Sequence, residues 1–243
     1  MIETETHVVT RHGLMSSFLV HPESGGPFPP IILYMDAPGI REELRNLARR
    51  IARAGYICIL PDMYYRLGTV RFDIPRRDDG MSGVIRAAMN SLTNALVVDD
   101  TAGILAYLDA QDAAKSGPVS CVGYCMSGQY ITTVAARFPH RFVSAVSLYG
   151  VGIVTDRPDS PHLLVDKVKG ELYYSFAETD GSVPDHVIPA LKAALKKVRA
   201  KHTLEIQPGT THGFQFSARA DYHAMESEKV WTKMFALWQR TLG

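Results

Sequence analysis

The sequence predicts a single α/β domain over residues 1–243, with a mostly parallel, doubly wound sheet flanked by helices. Three observations point there. Short apolar runs alternate with segments of helical periodicity along the whole chain. The runs are apolar at successive positions, as in strands covered on both faces. With 243 residues, 46% of them apolar and 21% charged, the chain is long enough to bury a full core.

The elements follow in order. Residues 7–10 and 16–20 read as two strands of a hairpin. The Pro/Gly-rich stretch 24–30 (SGGPFPP) lies too near the start to separate two domains and reads as a loop. Residues 30–36 (PIILYMD) form a buried strand. Residues 42–54 form a helix, with Leu44, Leu47, Ile51 and Ala54 at helical spacing and Gly55 to end it. A second buried strand covers 56–60 (YICIL), and 97–109 is helical. Residues 119–124 (VSCVGY) form a strand that runs at once into a helix over 126–138. Further strands are expected at 143–149, 171–177 and 203–207, and helices at 187–198 and 222–242.

Composition excludes several roles. Lys and Arg number 26 against 25 Asp and Glu, so the net charge of +1 gives no footprint for nucleic acid or an anionic membrane. No apolar run approaches the roughly 18 residues of a membrane span. The acidic start Met1-Ile2-Glu3-Thr4-Glu5 does not resemble a secretory signal. Three cysteines are too few for a disulfide scaffold, and a reducing, cytoplasmic setting is expected. No Cys/His cluster has zinc-site spacing, and no Gly-x-Gly-x-x-Gly follows a strand. Neither a metal nor an organic cofactor is therefore expected. Oligomeric state stays open.

In a parallel sheet, ligands bind beyond the C-terminal ends of the strands. That rule selects Asp36, Asp62, Cys125, Asp180 and His212. The segment Gly123-Tyr124-Cys125-Met126-Ser127-Gly128 has the form of a nucleophile elbow with cysteine at its apex. Small residues two positions either side of Cys125 permit the tight strand-to-helix turn. The positive end of the helix favours thiolate over thiol. Read alone, the segment has a second, less favoured reading as a buried cysteine in a tight turn. His212, in Thr211-His212-Gly213, follows the last expected strand and is a candidate base. Asp180, just after the preceding strand, is its candidate orienter. The order Cys, Asp, His is the one α/β-hydrolases use. Cys58 and Cys121 fall inside strands and read as small buried hydrophobes. The loop 66–83 carries Arg66, Arg71, Arg76 and Arg77 among Asp73, Asp78 and Asp79. It is either a self-neutralising solvated loop or a lid over the site.

These pieces resemble the dienelactone hydrolase family, cysteine-using α/β-hydrolases. The matching residues are Pro61-Asp62-Met63-Tyr64, the Cys125 elbow, Tyr149-Gly150-Val151-Gly152, Asp180 ahead of Val183-Pro184, and His212-Gly213-Phe214. The resemblance implies Cys125 as nucleophile, His212 as general base and Asp180 as its orienter. It places Asp36 where the family usually has glutamate near the nucleophile. The oxyanion donors of such a fold would be the backbone N–H groups of Ala37 and Met126. It implies hydrolysis of small esters or lactones through an acyl-enzyme. Where a family member holds the substrate carboxylate with arginine, this chain offers Arg219, or Arg76 and Arg77. Otherwise Phe214 and Phe216 would line an apolar pocket for a neutral ester. Rival readings are a thioesterase or acyl transferase with the same triad, a non-catalytic ligand-binding protein of the same fold, and a redox sensor at Cys125.

Overall fold

Residues Met1–Gly117 form the first of two units in the computed structural model, which describes all 243 residues. Strand β1 (Ile2–Thr10) turns back into β2 (Gly13–His21), with Thr10 opposite Gly13. β2 pairs antiparallel with β4 (Ile57–Pro61), and β4 pairs parallel with β3 (Pro30–Tyr34). β3 and β4 are buried at every position, as their unbroken apolar runs require. Helix α1 (Glu42–Arg53) joins them. Its first turn carries Glu42 and Glu43 and its last Arg50 and Arg53, matching the helix dipole. Gly55 follows in the left-handed region at φ 95°, where a glycine ends a helix at least cost.

β1 begins five residues before the expected 7–10. Its first half, Ile2-Glu3-Thr4-Glu5-Thr6, has little apolar periodicity to read. It is held by charge instead: Arg49 of α1 donates to Glu3 at 2.7 Å, and Arg45 pairs with Glu5. The segment 66–83 also departs from expectation. It is not one loop, because helix α2 (Asp79–Asn90) starts within it. Asp78 caps that helix, accepting from the Met81 N–H at 2.7 Å. Gly80 and Gly83 hide the helical pattern in the sequence. Nor is the segment neutralised only from within. Arg66 donates to the buried Asp100 at 2.6 and 3.0 Å, and Arg71 to the buried Asp62 at 2.7 Å. Helix α3 (Asn94–Asp109) packs on β1.

The second unit, Pro118–Gly243, holds β5 (Val119–Tyr124), β6 (Phe142–Leu148), β7 (Glu171–Thr179) and β8 (His202–Thr211). All pair in parallel, in the order β5-β6-β7-β8. Helix α4 (Gly128–Arg137) connects β5 to β6, and α5 (Val187–Leu195) connects β7 to β8. After β8 comes α6 (Ala224–Leu242), which buries Val230, Trp231, Met234 and Trp238. Because the four strands are parallel, their C-terminal ends lie together, and the residues that follow β5, β7 and β8 become neighbours. β8 runs on past the expected 203–207. After a register shift, Thr179 of β7 pairs with Thr211 of β8. The next residue on each strand is Asp180 and His212.

Candidate active site

Cys125 stands directly after β5 and opens a single 3₁₀ turn, Cys125–Ser127, that leads into α4. Its φ is +52°, one of only two positive values among the non-glycine residues. Such a conformation costs about 1–3 kcal/mol and persists only where the surroundings enforce it. Two glycines make the enforcement possible. A Cβ on Gly123 would lie 2.6 Å from the Ser127 carbonyl oxygen, and one on Gly128 would overlap the Gly150 Cα. The Cys125 carbonyl accepts the Val151 N–H at 3.0 Å.

The pairing of Thr179 with Thr211 delivers the other two residues. His212 donates through Nδ1 to Asp180 Oδ2 at 2.8 Å. Asp180 Oδ1 accepts the Ser182 N–H at 2.9 Å, so the carboxylate is fixed at both oxygens. The His212 ring also hydrogen-bonds the Cys125 side chain. Burial, the largest single influence on His212, favours the neutral ring. The Asp180 hydrogen bond, then the Cys125 hydrogen bond and charge, together outweigh it, and the pKa is pushed up from 6.5 to about 9. Tyr149, the second strained residue at φ +38°, meets the ring edge-on at 5.1 Å between centroids.

The remaining expected residues fall differently. Met126 is buried directly after Cys125. Asp36 and Ala37 follow β3 in the first unit. There Arg41 grips the Asp36 carboxylate through both guanidinium nitrogens, at 2.5 and 3.0 Å, and the Tyr64 hydroxyl donates to the Ala37 carbonyl at 2.7 Å. Arg76 and Arg77 are exposed, the one pairing with Asp73 and the other donating to Ser82. Phe214 and Phe216 are fully buried. Their rings pack on Tyr149, and that of Phe216 also on Tyr124. Arg219 is half-buried over the Phe216 ring, near the His212 carbonyl oxygen, and has no carboxylate partner. Cys58 and Cys121 are fully buried, and burial pushes both thiols up.

Two residues were given no role from the sequence. Tyr149 is visible there only within Tyr149-Gly150-Val151-Gly152; its backbone strain and ring contacts are tertiary facts. Gln215 is buried between the two phenylalanines, with neither amide atom hydrogen-bonded. No group of three or more His, Cys, Asp and Glu side chains is placed to hold a metal ion, and no helix is long and apolar enough to cross a membrane.

A model of the dienelactone hydrolase family matches residues 15–242. The chain belongs to that family. Among dienelactone hydrolase relatives, a protein of Synechocystis sp. named "Putative carboxymethylenebutenolidase" is 28% identical over 231 residues, covering 94% of this chain and 92% of its own. An Escherichia coli K12 protein of the same name is 28% identical, covering 91% of this chain and 80% of its own. A crystal structure of a "Putative Dienelactone Hydrolase" from Klebsiella pneumoniae superposes with a TM-score of 0.87 at 23% identity, covering 98% of each chain. That likeness shows the α/β-hydrolase fold expected from the order of Cys125, Asp180 and His212.

Proposed function

We propose that the chain hydrolyses small carboxylic esters or lactones through Cys125, His212 and Asp180, by way of a thioester on Cys125. The observation that carries this is the imidazole of His212, which hydrogen-bonds the Cys125 side chain and the Asp180 carboxylate at once. With its pKa near 9, His212 holds its proton at neutral pH, and the attacking form of Cys125 in this reading is the thiolate. The first step then needs no general base. The thiolate attacks the acyl carbon, and the carbonyl oxygen takes the charge. The Met126 N–H stabilises that oxyanion, a donor of a kind worth about 3–4 kcal/mol. The imidazolium gives its proton to the leaving alkoxide, the C–O bond breaks, and the thioester forms. In a lactone the alcohol stays tethered to the acyl chain.

Forming the thioester removes the Cys125 charge that raised His212. Burial then favours the neutral ring, which takes a proton from water as the oxygen attacks the thioester carbon. Collapse expels the thiolate, releases the acid and restores the ion pair. The affinity of His212 for its proton thus alternates with the charge on its neighbour.

The substrate reading favours an anion. Arg66 and Arg71 are committed to buried aspartates, whereas Arg219 has no acid partner and lies beside His212. A guanidinium so placed holds a carboxylate by a charged hydrogen bond worth about 1.5–3 kcal/mol. The test is kcat/KM for the acid and methyl-ester forms of one lactone, at low and high salt, in the wild type and Arg219→Ala. The acid form should be preferred, the preference should shrink with salt, and Arg219→Ala should abolish it. Equal turnover of both forms without salt dependence refutes the anionic substrate. Rapid-mixing kinetics with mass spectrometry tests the core reading: a burst of alcohol and an acyl adduct on Cys125 are expected, and their absence refutes it.

A further inference from the structure

The only two non-glycine residues with positive φ, Cys125 and Tyr149, lie in segments bonded to each other. The bond is Val151 N–H to Cys125 C=O, at 3.0 Å. That carbonyl belongs to the same peptide group as the Met126 N–H. The plane of one peptide is rigid, so whatever grips its oxygen also sets the direction of its N–H. Accepting a hydrogen bond at the oxygen further polarises the N–H.

The turn that delivers Val151 is itself over-determined. The Tyr149 N–H donates to the Ser175 carbonyl at 2.6 Å, and the Tyr149 ring is held among His212, Phe214 and Phe216. A Cβ on Gly150 would overlap Ser147 Oγ and lie 2.8 Å from the Gly128 Cα. At Gly152, φ +68°, a Cβ would come within 3.0 Å of the Gln129 amide. Gln129 in turn donates to the Met126 carbonyl at 3.2 Å. The peptides before and after the Met126 Cα are therefore both held, one by the turn and one by a side chain wedged against it.

We infer that Tyr149–Gly152 is the positioning element of the oxyanion site, with the Val151 N–H aiming the Cys125–Met126 peptide at the carbonyl oxygen of the substrate. The inference rests on the acyl-enzyme reading above. It explains why a strained tyrosine and two glycines in close approach meet at this turn: the backbone must come this near to the elbow to reach its carbonyl.

The test compares an ester with its thionoester, in which sulfur replaces the carbonyl oxygen. Sulfur accepts hydrogen bonds poorly. The ratio of the two rates therefore reports the oxyanion donors, and a general loss of folded enzyme cancels from it. Gly150→Ala pushes the turn off the elbow. It should lower kcat for the ester at least about tenfold with little change in KM, and lower the ester-to-thionoester ratio about as much. Adding Ser147→Ala removes the hydroxyl that the new methyl meets and should recover part of the ratio. Because the overlap at Gly150→Ala threatens the fold itself, the deciding variant replaces Val151 with its α-hydroxy analogue by nonsense suppression, deleting the N–H without adding bulk. The same fall in the ratio is expected. If the Cys125 thioester still forms and the ratio is unchanged, this inference fails and the acyl-enzyme reading stands. If no thioester forms in the wild type, the acyl-enzyme reading fails first.

Discussion

Replacing Asp180 with asparagine tests the electrostatics of the site on a group that can be watched directly. In the wild type, burial works against the charged ring of His212, and the Asp180 and Cys125 interactions overcome it, carrying the pKa from 6.5 to about 9. At about 1.4 kcal/mol per unit this is about 3 kcal/mol in favour of the imidazolium. The ring is only 19% exposed, so solvent screens little of it. Because the folded-state pKa lies above the unfolded one, the stabilisation is fully present below pH 6.5 and is lost as pH rises through about 9. In Asp180→Asn the largest opposing influence, burial, remains while the strongest supporting hydrogen bond goes. The pKa should fall back toward 6.5 or below. Carbon-13 labelling of histidine follows the ring by NMR. Urea unfolding at about pH 6 and about pH 10 should show the wild type losing up to about 3 kcal/mol more than the variant. Titrating groups outside this site are common to both proteins and cancel. A wild-type ring that titrates at or below 6.5, or two proteins with the same pH dependence of unfolding, would refute the reasoning. On the same grounds, kcat/KM for acylation should decline above about pH 9, as the imidazolium is lost.

Three further outcomes are expected. A haloacetamide at neutral pH should label half-buried Cys125 before the fully buried Cys58 and Cys121, with activity lost in proportion; peptide mapping after partial inactivation that finds either buried thiol modified first contradicts the nucleophile. His212→Ala should reduce kcat/KM by at least about a thousandfold and Asp180→Asn by somewhat less, with the double variant little worse than His212→Ala; multiplying losses would mean that the two residues act separately. Gln215→Met removes two buried amide atoms that have no partner, each costing about 1–3 kcal/mol, so it should raise the thermal midpoint by at least about 2 °C; a lower midpoint in calorimetry would show that the amide is satisfied in solution.

The core of the candidate site is legible because it depends on local sequence and chain order. The elbow needs Gly123 and Gly128 next to Cys125, and a parallel sheet sends every post-strand residue to the same end. What brings Asp180 and His212 to 2.8 Å is less legible. It requires the register shift that pairs Thr179 with Thr211, and a bulge leaves no periodic trace. The charges of 66–83 are visible in the sequence, but the partners of Arg66 and Arg71 lie outside the segment, in Asp100 and Asp62. The first half of β1 and helix α2 escape for a shared reason. One is stabilised by ion pairs and the other begins at an aspartate cap followed by two glycines, so neither shows the apolar period by which such elements are read. From their position beside His212, Phe214 and Phe216 read as walls of an alternative apolar pocket; that their buried rings pack on Tyr149 is a tertiary fact with no trace in the sequence.

Cys125, Asp180 and His212, with the Met126 N–H and the Tyr149–Gly152 turn, all belong to the unit Pro118–Gly243. A genetic crossover in the short stretch between α3 and β5 would therefore carry all of these residues in one piece. Recombination at that point could exchange Met1–Gly117, with its exposed arginines and its carboxylate beside β3, without separating Cys125 from Asp180 and His212. In such a lineage Cys125, Asp180 and His212 are inherited together, whatever the first unit becomes.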